Sequence, residues 1–250
     1  TDTKPKLISK EIKIGKKKVA ITGFAKGSGM IRPDFATLLS FVFIDGELNS
    51  NSLEKIHSNA LSESFEALTV DGDTSPNDSS LLVASGNQEN LIKKNSADEK
   101  KLEKAIKEIF GELTNLLAKD AEGATKRISV NVSQAISQKQ AKSVAFTVAE
   151  SPFVKTAMFG NDANWGRILS AIGRDNEIND INKVSISING QPMVKRGNLD
   201  PQHSEKLATK AVKKKDVKIN IKLGLGKSTF RVLTSDFSED YVLINSDYRS

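Results

Sequence analysis

The chain has 250 residues, 38% of them hydrophobic and 6% aromatic, with 37 Lys and Arg against 31 Asp and Glu for a net charge of +6, which is enough apolar content for one large core or two smaller ones. Charged residues make up 27% of the chain, and no apolar run reaches the eighteen or so residues of a membrane helix, which argues against a membrane role. The absence of cysteine excludes disulfides, thiolate zinc sites and a cysteine nucleophile, and with no signal-peptide pattern a cytoplasmic setting is expected.

The basic excess does not read as a nucleic-acid footprint. Its lysines are spread over exposed positions such as Lys100, Lys101, Lys104 and Lys107, and the two KKK runs, Lys16 to Lys18 and Lys213 to Lys215, fall at turns or helix ends without interleaved aromatics. No nucleic-acid partner is expected.

In chain order, EIKIGKKKVAIT (11–22) alternates as a strand. A loop rich in Gly and Pro, KGSGMIRPDFAT, leads from Lys26 to the apolar strand FVFID (41–45). Leu53, Ile56, Ala60, Leu61, Ser64, Phe65 and Leu68 recur at helical spacing and predict one amphipathic helix over 53–68. The turn-forming string DGDTSPND (71–78) follows, and its oxygens make it a candidate pocket lining, although it lacks the Gly and the terminal Glu of a calcium loop. SLLVAS (80–85) reads as a strand, and Leu102, Ile106, Ile109, Leu113, Leu116 and Leu117 as a second amphipathic helix. RISVNV (127–132) is a strand, residues 138–149 a helix, and Ser151 and Pro152 the cap and first turn of the next. NWGRIL (164–169) looks like a capped helix start with Trp165 turned into the core, so Asn164, Trp165, Gly166 and Arg167 are read as structural. KVSISING (183–190), VKINIKL (217–223), TFRVLTSD (229–236) and DYVLIN (240–245) are predicted strands, the last two joined as a hairpin through SDFSED. About eight strands and five helices predict a layered α/β (α+β) architecture with mainly antiparallel sheets covered by helices.

GLGKST (224–229) is not a phosphate loop. Ile221 stands where the first glycine would be, and a strand rather than a helix follows, so it is expected to be a hairpin turn. His57 and His203 have no triad partners in sequence and are read as surface or satisfied side chains. With no cysteine and two isolated histidines, no metal is expected.

Thr37 raises the chemical question. Its hydroxyl is a poor nucleophile without a base, and no histidine lies near it in sequence. A break between Ala36 and Thr37 would supply one, an α-amine of pKa about 7.7–8.0 on the same residue. A threonine at a strand edge is also ordinary, and the residues alone leave both readings open.

KGSGMIRPDFATLLSF resembles the self-cleavage segment of the ornithine acetyltransferase family, the glutamate N-acetyltransferases of arginine biosynthesis. TDTKPK, TVDGDTSPNDSSLLVASG (69–86), AEGATK (121–126), VAESPFVKTAMFGNDANWGRILSAIGR (148–174) and the final INSDYRS resemble further segments of that family in the same order. The resemblance implies an N-terminal-nucleophile-like fold and autocatalytic cleavage between Ala36 and Thr37, with 1–36 as the tail of an α chain and 37–250 as a β chain. It also implies ping-pong transfer of acetyl from N2-acetyl-L-ornithine to L-glutamate through Thr37. Substrate-binding positions carried over are Thr3, Lys26, Thr37, Glu122, Asn245 and Ser250. No resident cofactor is implied, with acetyl-CoA an additional acetyl donor in some members, and the expected assembly is a heterotetramer, α2β2, or larger. In the family a Thr-Gly pair upstream of the TDT segment forms the oxyanion hole. These residues do not contain it, so an α chain carrying it is an expected partner. An N-terminal-threonine amidohydrolase or aminopeptidase, or a catalytically silent subunit, is the alternative.

Overall fold

The computed structural model describes residues 1–32, 38–86 and 91–247, which fall into two compact units, Thr1–Asp120 and Ala121–Ser250. The first unit holds a four-stranded sheet in the order β1-β2-β3-β4. EIKIGKKKVAIT is a hairpin rather than one strand. β1 (Leu7–Ile14) and β2 (Lys17–Lys26) pair antiparallel with Ile14 opposite Lys17, so Gly15 and Lys16 form a two-residue turn, and Gly15 takes the φ of +58° that such a turn demands. β3 (Leu39–Ile44) pairs antiparallel with β2 and parallel with β4 (Ser79–Ala84). A parallel pair needs a crossover, and α1 (Ser50–Ser62) supplies it.

The predicted helix over 53–68 ends earlier than its periodicity suggested. α1 stops at Ser62 and a single 3₁₀ turn, Phe65–Ala67, follows. Ser64 breaks the run by donating its hydroxyl to the carbonyl of Ala60, competing with the backbone ladder. α2 (Ala97–Lys119) is the long amphipathic helix, capped by Ser96, whose Oγ accepts from the Glu99 N–H at 3.1 Å. Leu102, Ile106, Ile109, Leu113 and Leu117 are fully buried along one face. That face lies on β1 and β2 so closely that a Cβ at Gly23 would stand 2.8 Å from Ile109 Cγ2. On the opposite side of the sheet Phe24 stacks against Phe41 and Phe43 at 5.2 and 6.1 Å.

The second unit holds a six-stranded sheet in the order β10-β5-β9-β6-β7-β8, with β5 (Arg127–Ala135) and β9 (Asp216–Lys222) parallel and the other pairs antiparallel. β6 (Ser185–Ile188) and β7 (Gln191–Lys195) turn through Asn189 and Gly190, both at positive φ, the signature of a tight hairpin. The short β8 (Asn198–Leu199) closes that edge. α3 (Gln138–Ala149) covers β5 and β10 (Ser228–Ser235), with α4 (Pro152–Phe159) and α5 (Trp165–Gly173) packed beside it and α6 (Glu205–Val212) on β6 and β7. Their apolar faces meet Ile128, Val130, Val132, Ile219 and Ile221 in one core, against which Trp165 packs half-buried. Asn164 caps α5 by accepting from Arg167 N–H at 3.1 Å, as its sequence context predicts. Ser151 precedes α4 without a side-chain capping bond.

Two expectations for the C-terminal part are corrected. GLGKST is not a hairpin: β5 lies between β9 and β10, so the loop crosses the end of β5, and both Leu225 and Gly226 donate N–H bonds of 2.8 Å to Gln134 O. A Cβ on Gly226 would run into the Ala135 carbonyl, so close backbone approach accounts for that glycine. DYVLIN is no strand. It belongs to α7 (Glu239–Asp247), with Glu239 and Asp240 in the first turn and the Ser238 Oγ accepting from Tyr241 N–H at 3.3 Å. The mixed α+β class with mainly antiparallel sheets and helical cover is as expected, because other hairpins supply the antiparallel pairing.

Candidate active site

The segment leading to Thr37 is held by two carboxylates. β2 ends at Lys26, which pairs across the ladder with Leu39. The next amide, Gly27 N–H, bonds the Asp2 carboxylate at 3.0 Å. Burial pushes the Asp2 pKa up, but bonds from Lys6 and Gly27, with the charges of Lys6 and Lys26 nearby, outweigh it and leave the group below its ordinary value. Three residues after Gly27, Met30 sits at φ 52°, a conformation that costs about 1 kcal/mol or more for a side-chain-bearing residue. Asp71 sustains it by accepting from the N–H groups of Met30 and Ile31 at 2.6 and 3.0 Å, and Thr74 donates to Arg32 O at 3.1 Å. Burial raises the Asp71 pKa against these bonds. DGDTSPND therefore clamps the KGSGMIR loop, a role invisible in a string whose partners lie some forty residues away in sequence. The chain is described again at Leu38, whose carbonyl accepts from Ser79 N–H at 3.0 Å as β3 joins β4. Ala36, Thr37 and Ser250 lie outside the described residues.

Thr3 is built into the first unit by Asp120. Its N–H donates to Asp120 Oδ2 at 3.1 Å, its hydroxyl donates to Oδ1, and Lys4 N–H adds a bond of 3.2 Å. Lys6, with a side chain only 1% exposed, bridges Asp120 at 2.6 Å and Asp2. The network thus runs from Thr3 through Asp120, Lys6 and Asp2 to the Gly27 amide beside Lys26.

In the second unit the structure brings Glu122 and Asn245 together. Asn245 Nδ2 donates to Glu122 Oε2 at 2.9 Å and to Tyr241 O at 3.0 Å, one turn back along α7. The helical form of DYVLIN brings the Tyr241 carbonyl within reach of the Asn245 side chain one turn on, where a strand would set the two about 13 Å apart. Gly123 beside them has φ +62° and accepts the Ser238 hydroxyl at 2.5 Å, and a Cβ there would collide with the backbone at Tyr241. The 121–126 turn is further fixed by Asp236, which accepts from Thr125 and Lys126 N–H at 2.9 and 2.8 Å.

The last residue of DGDTSPND, read from the sequence as a candidate pocket lining, does line a cavity. Asp78 stands at the head of β4, and both its oxygens are shut off from solvent. Burial pushes its pKa up from 3.8 to about 6, against the pull of the Leu38 N–H. The folded chain therefore holds a proton there that the unfolded chain releases, and the stability this gives is present near pH 4 and lost as pH rises through about 6. Asp78→Asn is expected to raise stability above that window by about 1 kcal/mol, allowing for solvent screening. Little change is expected near pH 4. Thermal unfolding at about pH 4 and about pH 7.5 checks this, and an equal shift at both would exclude the titration.

Of the two histidines, His57 is satisfied by Ser80, with 2.9 Å between Nε2 and Oγ, and His203 lies 3.2 Å from Glu205. Among the described residues no group of three or more His, Asp or Glu is placed to hold a metal ion, and no helix is long and apolar enough to cross a membrane.

A mixed α+β chain of two sheets, with its strand-leading loop clamped by acids, is what the fold and site define. The ArgJ family matches residues 1–250, and the chain belongs to it, in agreement with the resemblance to ornithine acetyltransferases. The arginine biosynthesis bifunctional proteins ArgJ of Bradyrhizobium diazoefficiens and Nitrobacter winogradskyi are 41% and 42% identical to it over 255 residues, covering 100% of this chain and 62% and 61% of theirs. The chain thus spans about three-fifths of the length of these relatives. The crystal structure of the ArgJ bifunctional protein of Bacillus halodurans superposes with a TM-score of 0.80 at 37% identity, covering 85% of this chain and 100% of that one.

Proposed function

We propose that this chain carries the acetyl-transferring centre of a glutamate N-acetyltransferase acting in arginine biosynthesis. The match of the ArgJ family to all 250 residues carries the reading. The clamped loop before Thr37 and the rigid strand after it support it, since self-cleavage needs a fixed geometry around one peptide bond.

Cleavage between Ala36 and Thr37 leaves 1–36 as the tail of an α chain and 37–250 as a β chain. The Thr37 hydroxyl then adds to the acetyl carbonyl of N2-acetyl-L-ornithine while its own α-amine takes the proton. The proton passes to the departing amine of ornithine, the acetyl group stays as a threonine ester, and L-glutamate's amine takes it in the second half. Lys26 suits a substrate carboxylate, while Glu122, oriented by Asn245, suits an ammonium group. Thr3, through Asp120, and Ser250 complete the proposed binding set. An α chain supplies the oxyanion hole in a heterotetramer of the cytoplasm, and acetyl-CoA is a second donor to be assayed.

Intact mass analysis of the purified protein is expected to show a polypeptide beginning at Thr37, and acetylornithine turnover is expected to depend on glutamate. Loss of acetylornithine at the same rate without glutamate would make the protein a hydrolase. Ornithine binding without an acetyl-enzyme would make it a silent subunit.

A further inference from the structure

Glu122 and Asn245 are 123 residues apart in sequence, and their meeting depends on how α7 is set against the turn that carries Glu122. Among the described residues of α7 none is buried. The helix therefore has no anchor of its own in the apolar core and takes its place from the contacts at its first turn.

The segment that leads into that turn is held on both sides. Asp236 is fully buried and accepts from the N–H groups of Thr125 and Lys126 and from the Thr125 hydroxyl. The Phe237 ring stacks on Tyr241 with centroids 4.7 Å apart, and Lys155 Nζ lies 4.4 Å from the centre of the same ring. Between them Ser238, 6% exposed, donates its hydroxyl to the Gly123 carbonyl and accepts from the Tyr241 N–H. One side chain thus ties the residue after Glu122 to the first turn of the helix that carries Asn245. Gly123 permits the approach, since a Cβ there would stand 2.4 Å from Tyr241 N and 2.8 Å from Ser238 Oγ.

The contacts close into a ring. Ser238 holds Gly123 and Tyr241, the Tyr241 carbonyl accepts from Asn245 Nδ2 one turn on, and the same Nδ2 donates to Glu122 Oε2. Such a ring fixes where the Glu122 carboxylate points before any ligand arrives, so that less freedom is lost when a cation binds it. Removing the Ser238 hydroxyl opens the ring at its most buried member and frees the turn and the helix to shift against each other.

We propose that Ser238 is a positioning residue for recognition of the substrate's side-chain ammonium, acting through Glu122, an inference that rests on the reading of Glu122 and Asn245 as substrate-binding residues. Ser238 itself touches no substrate. It sets the carboxylate that does.

Kinetics of the purified, cleaved enzyme at saturating glutamate test this. Ser238→Ala is expected to raise KM for N2-acetyl-L-ornithine about tenfold with kcat changed by less than about threefold, the split that loss of uniform binding gives. The inhibition constant of N2-acetyl-L-norvaline, which has the same carbon chain without the side-chain amine, is expected to keep its wild-type value. Ser238→Thr keeps the hydroxyl and is expected to restore KM, and Glu122→Gln should reproduce the discrimination between the two ligands. A loss of binding in Ser238→Ala that falls equally on both ligands would overturn the inference, because general damage to the fold does not distinguish them. An unchanged KM in Ser238→Ala beside a raised one in Glu122→Gln would also overturn it, and would leave Glu122 as the ammonium site. If Glu122→Gln leaves KM unchanged, the reading of Glu122 falls, and the inference with it. Should circular dichroism show that Ser238→Ala does not fold, Gly123→Ala, which wedges the same joint from the other side, is measured with the same two ligands and judged by the same outcomes.

Discussion

Thr37→Ala is expected to leave the Ala36–Thr37 bond whole and to lower acetyl transfer on the order of 10⁴-fold or more, since one substitution removes the nucleophile and, with no cut, the base as well. Groups that act as a unit do not lose activity in separate portions, so further changes around the site should add little to this loss. Thr37→Ser keeps a hydroxyl but gives up the β-methyl that restricts χ1, and should retain part of both cleavage and turnover. Intact mass and the initial rate with acetylornithine and glutamate, measured on the same samples, decide the matter. Turnover above about a tenth of wild type in an uncut Thr37→Ala protein would place the acyl carrier elsewhere.

Asp120→Ala should have the largest effect on stability. Asp120 takes four hydrogen bonds, from the N–H groups of Thr3 and Lys4, the Thr3 hydroxyl and Lys6. Removing it leaves two backbone donors without an acceptor and a buried ammonium with Asp2 as its remaining partner, a loss of about 3–5 kcal/mol. Asp120→Asn keeps an oxygen acceptor and should lose roughly half as much. Burial raises the Asp120 pKa, but the bonds from Lys6 and Thr3 outweigh it and hold the group below 3.8. Its contribution is therefore present above the ordinary carboxylate range and lost as pH falls through the depressed value. Urea unfolding at neutral pH measures the difference, and a change below about 1 kcal/mol would mean that Thr3 and Lys6 are held by other means.

What could be read from the sequence was whatever a local pattern controls. Alternation marked β2 and β9, and the three-and-four spacing of Leu102 to Leu117 marked α2. DYVLIN misled because six residues with a few apolar side chains fit either period, and the deciding signal lay just upstream, in Ser238 and the acidic first turn. The ends of GLGKST gave no sign that β5 would come between the flanking strands, since strand order is a long-range outcome. For the site, Thr37, Lys26, Glu122 and Asn245 were named through the family resemblance, and the structure sets Glu122 and Asn245 in hydrogen-bond contact. Asp71 and Asp120 were missed as supports because each acts on backbone 40 and 117 residues away in sequence, and an aspartate in a Gly- and Asn-rich turn such as that of Asp71 reads locally as nothing more than turn chemistry.

The β2–β3 ladder, six residue pairs from Ile21–Ile44 to Lys26–Leu39, would take on another meaning under the proposed cleavage before Thr37. Its two strands then belong to different polypeptides, and what was an internal hairpin becomes a subunit interface formed before the subunits existed. The fragments would stay together for as long as the sheet does. Separated by denaturant, they would have to find each other again by diffusion, so recovery would become bimolecular and depend on protein concentration, as it would not for the unbroken precursor.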